Sequence, residues 1–167
     1  MANINYIGWN DYSISINNEN LDEIVNQAVE MTDLTKDELM GNSELTAQAE
    51  IRSYLKPVGD IDAEFDKNYT DSPDVRLKLV IRCVVNLSLY NLHMTISPRD
   101  VPEKVEKAYE HCLEMLEAAR KGELDFGLGD PPTDDTDAVA WRTIGSNYKF
   151  TSKEFREARI LDTDTDV

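Results

Sequence analysis

A chain of 167 residues, 41% of them hydrophobic, is long enough to bury a sizeable core and too apolar to be wholly disordered. Its 33 acidic and 17 basic residues leave a net charge of −16. That balance excludes binding to bare nucleic acid or an anionic membrane through bulk electrostatics, because both repel it. The charge is uneven. Residues 1–71 carry 15 acids and 4 bases, residues 72–122 carry 7 and 8, and residues 123–167 carry 11 and 5. A neutral centre between acidic flanks reads first as a strongly solvated surface.

The opening INYIGWNDYSISI (residues 4–16) alternates apolar and polar residues without a helical period, so an extended or irregular lead-in is expected. Asn20 with Glu23 three residues on is a candidate cap, and Leu21, Ile24, Val25, Ala28 and Val29 repeat on one helical face. Thr35 with Glu38 is a second capping box, opening a short helical turn expected to end near Gly41. Asn42 or Ser43 then caps a helix over ELTAQAEIRSYL, with Ala47, Ile51, Tyr54 and Leu55 inward and Pro57 ending it. From Gly59 to Asp71 the chain reads as irregular, anchored by Phe65 and Tyr69.

Ser72-Pro73 has the form of a helix start, a cap followed by proline at the first position. The helix predicted from there to Ile96 is apolar on most sides and belongs at the centre of a bundle. Arg82, Asn86, Asn91 and His93 interrupt it, making a poor membrane span and a good core helix. Pro98 breaks it, and Asp100 with Pro102 opens another that runs to Lys121, with Val105, Ala108, Tyr109, Cys112, Leu113, Leu116 and Ala119 as one stripe. Gly122 is the expected C-terminal cap. Two long helices with so short a break are expected to pack antiparallel. The predicted fold is all-α: a small helical bundle with an extended N-terminal segment and a C-terminal arm.

After Gly122 the periodicity stops. Gly127, Gly129, Pro131, Pro132 and aspartates up to Asp137 spell a solvated linker, assigned to 128–140, between a helical domain (1–127) and an arm (141–167). The arm carries WRTIGSNYKFTSKEF, an aromatic and basic cluster whose composition suits an interface core. The competing reading is a short hairpin packed back on its own bundle.

No chemistry is spelled out. Asp60, Asp62, Glu64, Asp66, Asn68 and Asp71 fall at EF-hand ligand positions, but Phe65 stands where the loop needs glycine and Asp71 where it needs glutamate. His93, His111, Cys83 and Cys112 lack metal-ligand spacing, and the cysteines sit on apolar faces as small core residues. There is no GxSxG, GxxxxGK[ST] or GxGxxG. No cofactor, no metal and no enzymatic activity are expected. The N-terminus has no apolar run of signal-peptide type, so a cytosolic chain with reduced thiols is expected.

AEIRSYL (residues 49–55), RLKLVIRCVVNLSLYNLH (76–93) and YEHCLEMLEAARKGELDFGLG (109–129), in that order and spacing, resemble the phage head–tail connector proteins of the Mu-like prophage type, also called head-completion or adaptor proteins. YIGWNDY (residues 6–12) is similar to that family's opening, although Gly8 and Trp9 replace a threonine and a polar residue there. The segment 31–40 looks like an insertion.

The resemblance implies a small helical bundle, without enzymatic activity, assembling as a ring of about a dozen copies beneath the portal protein. The ring would meet a tail-side protein below, and DNA would pass through its lumen without specific binding. The protein would be assembled in the host cytoplasm and carried in the virion, with no membrane partner. The resemblance also implies an arm that reaches the portal or a neighbouring subunit. The candidate contact residues are Trp141, Arg142, Ile144, Ser146, Asn147, Tyr148, Lys149, Phe150 and Phe155. The rival functional readings are an acidic DNA mimic that occupies a host nucleic-acid-binding protein, and a small cytosolic hydrolase.

Overall fold

The computed structural model describes residues 6–131, and among these there is no strand. The lead-in is not extended. Trp9–Ile14 forms a 3-10 helix, because the Asp11 side chain accepts the Gly8 N–H at 2.8 Å while the Gly8 carbonyl accepts the Asp11 N–H at 2.9 Å. One residue at the third helical position closes the turn, and hydropathy alternation cannot report that.

Helix α1 spans Asn18–Met31, and Asn17 rather than Asn20 caps it, its side chain accepting the Asn20 N–H at 2.8 Å. Leu21, Val25 and Ala28 of the predicted stripe are fully buried. The Thr35–Glu38 box opens helix α2, Lys36–Leu55, as the sequence indicates. The helix does not stop at Gly41. Ser43 donates back to the Met40 carbonyl at 2.9 Å and Thr46 to that of Asn42 at 2.8 Å, so these hydroxyls bond within the helix instead of restarting it. A mid-helix glycine costs about 1 kcal/mol against alanine, which burial of Leu39, Ala47, Ile51 and Leu55 outweighs.

A short helix α3, Ile61–Phe65, occupies the stretch expected to be irregular, capped by Asp60. Phe65 is a buried anchor as predicted, while Tyr69 is 45% exposed. Helix α4 runs Lys78–Ile96 and ends where predicted. It does not begin at Ser72-Pro73: the chain reaches Leu77 before turning helical. The cause is tertiary. Leu77 N–H donates to the Glu64 carboxylate at 2.6 Å, whereas a helix starting at Pro73 would give that N–H to the Pro73 carbonyl, and Arg76 reaches Asp11.

Helix α4 contacts α1, α2, the 3-10 helix and α5, Glu103–Arg120. Its length and composition would suffice to cross a bilayer, yet ten of its residues are buried in the protein. Tyr90 of α4 stacks on Tyr109 of α5 with ring centroids 4.0 Å apart. Gly122, at φ +78°, closes α5, with the Glu123 N–H donating to the Ala118 carbonyl at 2.9 Å.

The segment beyond Gly122 corrects another expectation. Phe126 is 5% exposed and belongs to the core, and Leu124 and Leu128 pack partly against it. Leu128 and Gly129 lie over Gly59, where the Asp60 N–H donates to the Gly129 carbonyl at 2.9 Å. A Cβ on Gly59 would fall 2.5 Å from that of Leu128. Residues Gly127 and Gly129, read as linker, are therefore held against the bundle.

Candidate interaction surface

All nine residues proposed for partner contact, Trp141 to Phe155, lie outside the described residues. What the structure does bring together is a set of buried charged groups that clamp the lead-in onto the bundle. Each comes from a different element. Glu44 on α2 accepts the N–H groups of Tyr6 (3.0 Å) and Ile7 (3.3 Å) and the Gln48 amide (2.9 Å). Glu64 on α3 accepts the Tyr6 hydroxyl at 2.7 Å and pairs with Lys67. Arg76, just before α4, donates to the Tyr6 carbonyl (2.5 Å), to Asp11 (2.8 Å) and to Asp74 (2.9 Å).

Tyr6 is the common guest, with no solvent exposure and its ring edge-on to Phe65 at 5.0 Å. Burial and the Glu64 carboxylate push its hydroxyl far above the usual tyrosine range, so it remains a donor. Arg76 and Lys78 hold the Asp74 carboxyl well below its ordinary range. Buried groups of this kind are tolerated only when fully partnered, and here they are.

Above the clamp lies an open groove of about 380 Å³, walled by Trp9, Tyr12, Tyr69 and Met40, with Lys36 and Asp37 at its rim. Lys36 sits 4.3 Å from the centre of the Trp9 ring and pairs with Asp22. Gly8 allows the Tyr69 ring to come close against the backbone, since a Cβ there would fall 2.6 Å from it. The groove offers aromatic walls, the Lys36 cation and the carboxylates of Asp37 and Glu44.

Burial pushes the Glu44 carboxyl up to about 7, against the opposing pull of the Ile7 and Tyr6 N–H groups and the Gln48 amide. A carboxyl whose pKa rises on folding favours the folded state when protonated, so its contribution is full below about pH 4.5 and is lost as pH rises towards 7. Wild type should therefore lose about 2 kcal/mol between pH 5 and 7.5 relative to Glu44→Gln, which cannot titrate. Urea denaturation of both proteins at the two pH values checks this. Parallel pH dependences would refute it.

The acidic run 60–71 is dispersed among local tasks. Asp60 caps α3, Asp62 pairs with Arg52 at 2.8 Å, Glu64 serves the clamp, and Asp71 accepts the Asn68 N–H at 2.9 Å. Among the described residues no three histidine, cysteine, aspartate or glutamate side chains are grouped to hold a metal ion. Sequence reasoning missed Glu44 and Arg76 because neither spacing nor composition separates them from other charged residues. Only Glu64 was singled out, and for a different role.

Comparison with protein families matches the model described as Bacteriophage Mu, Gp36, over residues 6–142. The chain belongs to this family. It is a phage protein, and the Gp36 match starts at Tyr6, the residue the clamp holds, and extends through the whole described bundle. Trp141 and Arg142 fall within the Gp36 match, whereas the candidate contact residues from Ile144 onward lie beyond it. Comparison with curated proteins and with solved structures gave no match.

Proposed function

We propose that this Gp36-family protein is a non-enzymatic structural component of the virion, a head–tail adaptor forming a ring beneath the portal. The family match over most of the chain carries the reading. In this reading the ring has about a dozen copies, and a tail-side protein docks below. DNA passes through a lumen that does not grip it, a role for which a net charge of −16 is suited because it repels phosphate. The aromatic and basic segment from Trp141 to Phe155 is the docking arm. Arg142 and Lys149 meet acidic partners, and Trp141, Ile144, Tyr148, Phe150 and Phe155 supply apolar anchors, with Ser146 and Asn147 between them. Head–tail contact of this kind places the protein at the neck of the particle.

Light scattering after size exclusion, with and without purified portal rings, tests the proposal. The expected result is a ring-sized species or a portal complex. A protein that neither oligomerises nor binds portal would overturn it. The same acidity favours a DNA mimic as a second reading, which predicts a small species that binds a basic host protein and is displaced from it by DNA.

A further inference from the structure

The groove walled by Trp9 and Tyr69 has polar capacity that the clamp does not use. All three donors to Glu44 fall on one oxygen, Oε1: the Tyr6 and Ile7 N–H groups and the Gln48 amide. Among the described residues Oε2 accepts no hydrogen bond, although Glu44 is 4% exposed and lines the groove. A carboxylate accepts on both oxygens, so spare acceptor capacity stands at the groove's floor. At the rim, Lys36 is matched by Asp22, whereas Asp37 has no ion pair among the described residues. Lys36 also lies over the Trp9 ring, so this wall already attracts a cation. Two unmatched carboxyl groups among aromatic rings suit a further basic side chain, whose apolar stem the rings would cover. Burial pushes Glu44 up to about 7, and the groups that oppose burial are N–H donors. A cation arriving beside it favours the ionised form and offsets part of the burial cost.

We propose that this groove receives the basic, aromatic segment 141–159 of a second copy, so that each subunit gives an arm to one neighbour and a groove to the other. The inference rests on the reading of Trp141–Phe155 as a docking arm and adds the surface that the arm grips. Charge selects the occupant. Residues 6–131 hold 25 acids and 12 bases, a net −13, whereas residues 141–159 hold 5 bases and 2 acids, a net +3. The segment is thus the counter-charge to the body of another copy. Trp141, Tyr148, Phe150 and Phe155 bring the aromatic rings that interface cores favour. The connection is long enough. From Pro131 to Trp141 the chain reaches at most roughly 33–36 Å, more than the roughly 30 Å width of a small domain. An arm-to-groove contact is heterologous, and such contacts propagate head to tail until a ring closes.

The test begins with the full-length chain, its own arm disabled by Arg142→Glu and Lys149→Glu. A fluorescently labelled peptide of residues 141–159 is titrated against it and followed by anisotropy. The expected result is saturable binding at micromolar concentrations that weakens with salt. Glu44→Gln keeps an Oε1 acceptor for the clamp but presents an amide N–H₂ to the groove, and should weaken binding roughly tenfold. Asp37 and Tyr69 are exposed and lie outside the clamp, and Asp37→Asn and Tyr69→Ala should each weaken binding roughly threefold. Absence of binding, or binding unchanged by all three substitutions, would overturn the proposal.

Light scattering then compares wild type with Glu44→Gln alone, the arm variant alone and an equal mixture of the two. The mixture has one working arm and one working groove per pair, so it should stop at a 1:1 dimer while wild type assembles further. Wild type that assembles equally well with its groove altered would refute the groove and leave the ring reading standing. Groove-dependent growth into open filaments would keep the contact and refute the ring. A monomeric wild type beside a peptide-binding arm variant would put each arm in its own groove and overturn the second-copy assignment.

Discussion

Replacing Arg76 with alanine is expected to destabilise the protein by about 3 kcal/mol and to lower the melting temperature by roughly 10 °C. Surface ion pairs contribute about 0–1 kcal/mol, so this estimate depends on burial. Arg76 is 7% exposed and its guanidinium satisfies three acceptors at once: the Tyr6 carbonyl, Asp11 and Asp74. Alanine leaves the Tyr6 carbonyl unpaired in the interior and Asp11, itself largely covered, without its cation. The lead-in then loses the link that ties the 3-10 helix to the start of α4.

Arg76→Lys keeps the charge but not the fork, and should fall between the two. A cycle with Asp11→Ala should show coupling of about 1–3 kcal/mol. If urea titration places Arg76→Ala within about 0.5 kcal/mol of wild type, the clamp is decorative and Tyr6 is held by packing alone.

The second large effect concerns two truncations that cut the chain on either side of the last packed segment. Removing Ala140–Val167 is expected to leave the helical far-UV signal nearly intact while abolishing assembly, because among the described residues the buried cluster closes at Phe126. Removing everything from Glu123 onward takes Phe126, Leu124 and Leu128 as well. It uncovers Gly59 and should cost about 3–5 kcal/mol, the range for deleting one large buried aromatic. Circular dichroism and light scattering on both truncations separate stability from assembly. Unfolding of the shorter deletion would assign the arm to the core, and continued assembly without it would remove the arm from the docking role.

The main helices were legible because their signals are local. The Thr35–Glu38 box, the stripe of α1, the apolar span of α4 to Ile96 and the glycine after α5 each involve residues within a few positions of one another, and each stands where the sequence puts it. The errors have a common origin in contacts between distant positions. Gly41 to Ser43 looked like a stop and a restart, but burial on both sides carries α2 through them. Ser72-Pro73 looked like a helix start, but Glu64 and Arg76 keep the chain extended to Leu77. The glycines at 127 and 129 looked like linker, but Phe126 and Leu128 had a core to join.

The candidate surface was less legible than the fold. The aromatic cluster after Trp141 could be picked out by composition, whereas the clamp and its groove could not. Glu44, Glu64 and Arg76 are three charged residues in a chain that has 50, and only the packing of α2, α3 and the approach to α4 converges them on Tyr6. Sequence by itself determined the all-α class, the Thr35–Glu38 cap of α2 and the Gly122 cap of α5, the central place of α4 and the acidity that repels nucleic acid. These depend on periodicity and composition, which the chain carries wherever it is. Tertiary structure decided where helices run on past their apparent stops and which carboxylates are buried. Those are set by burial free energy and hydrogen bonds between residues far apart in the chain, and no local pattern encodes the partner.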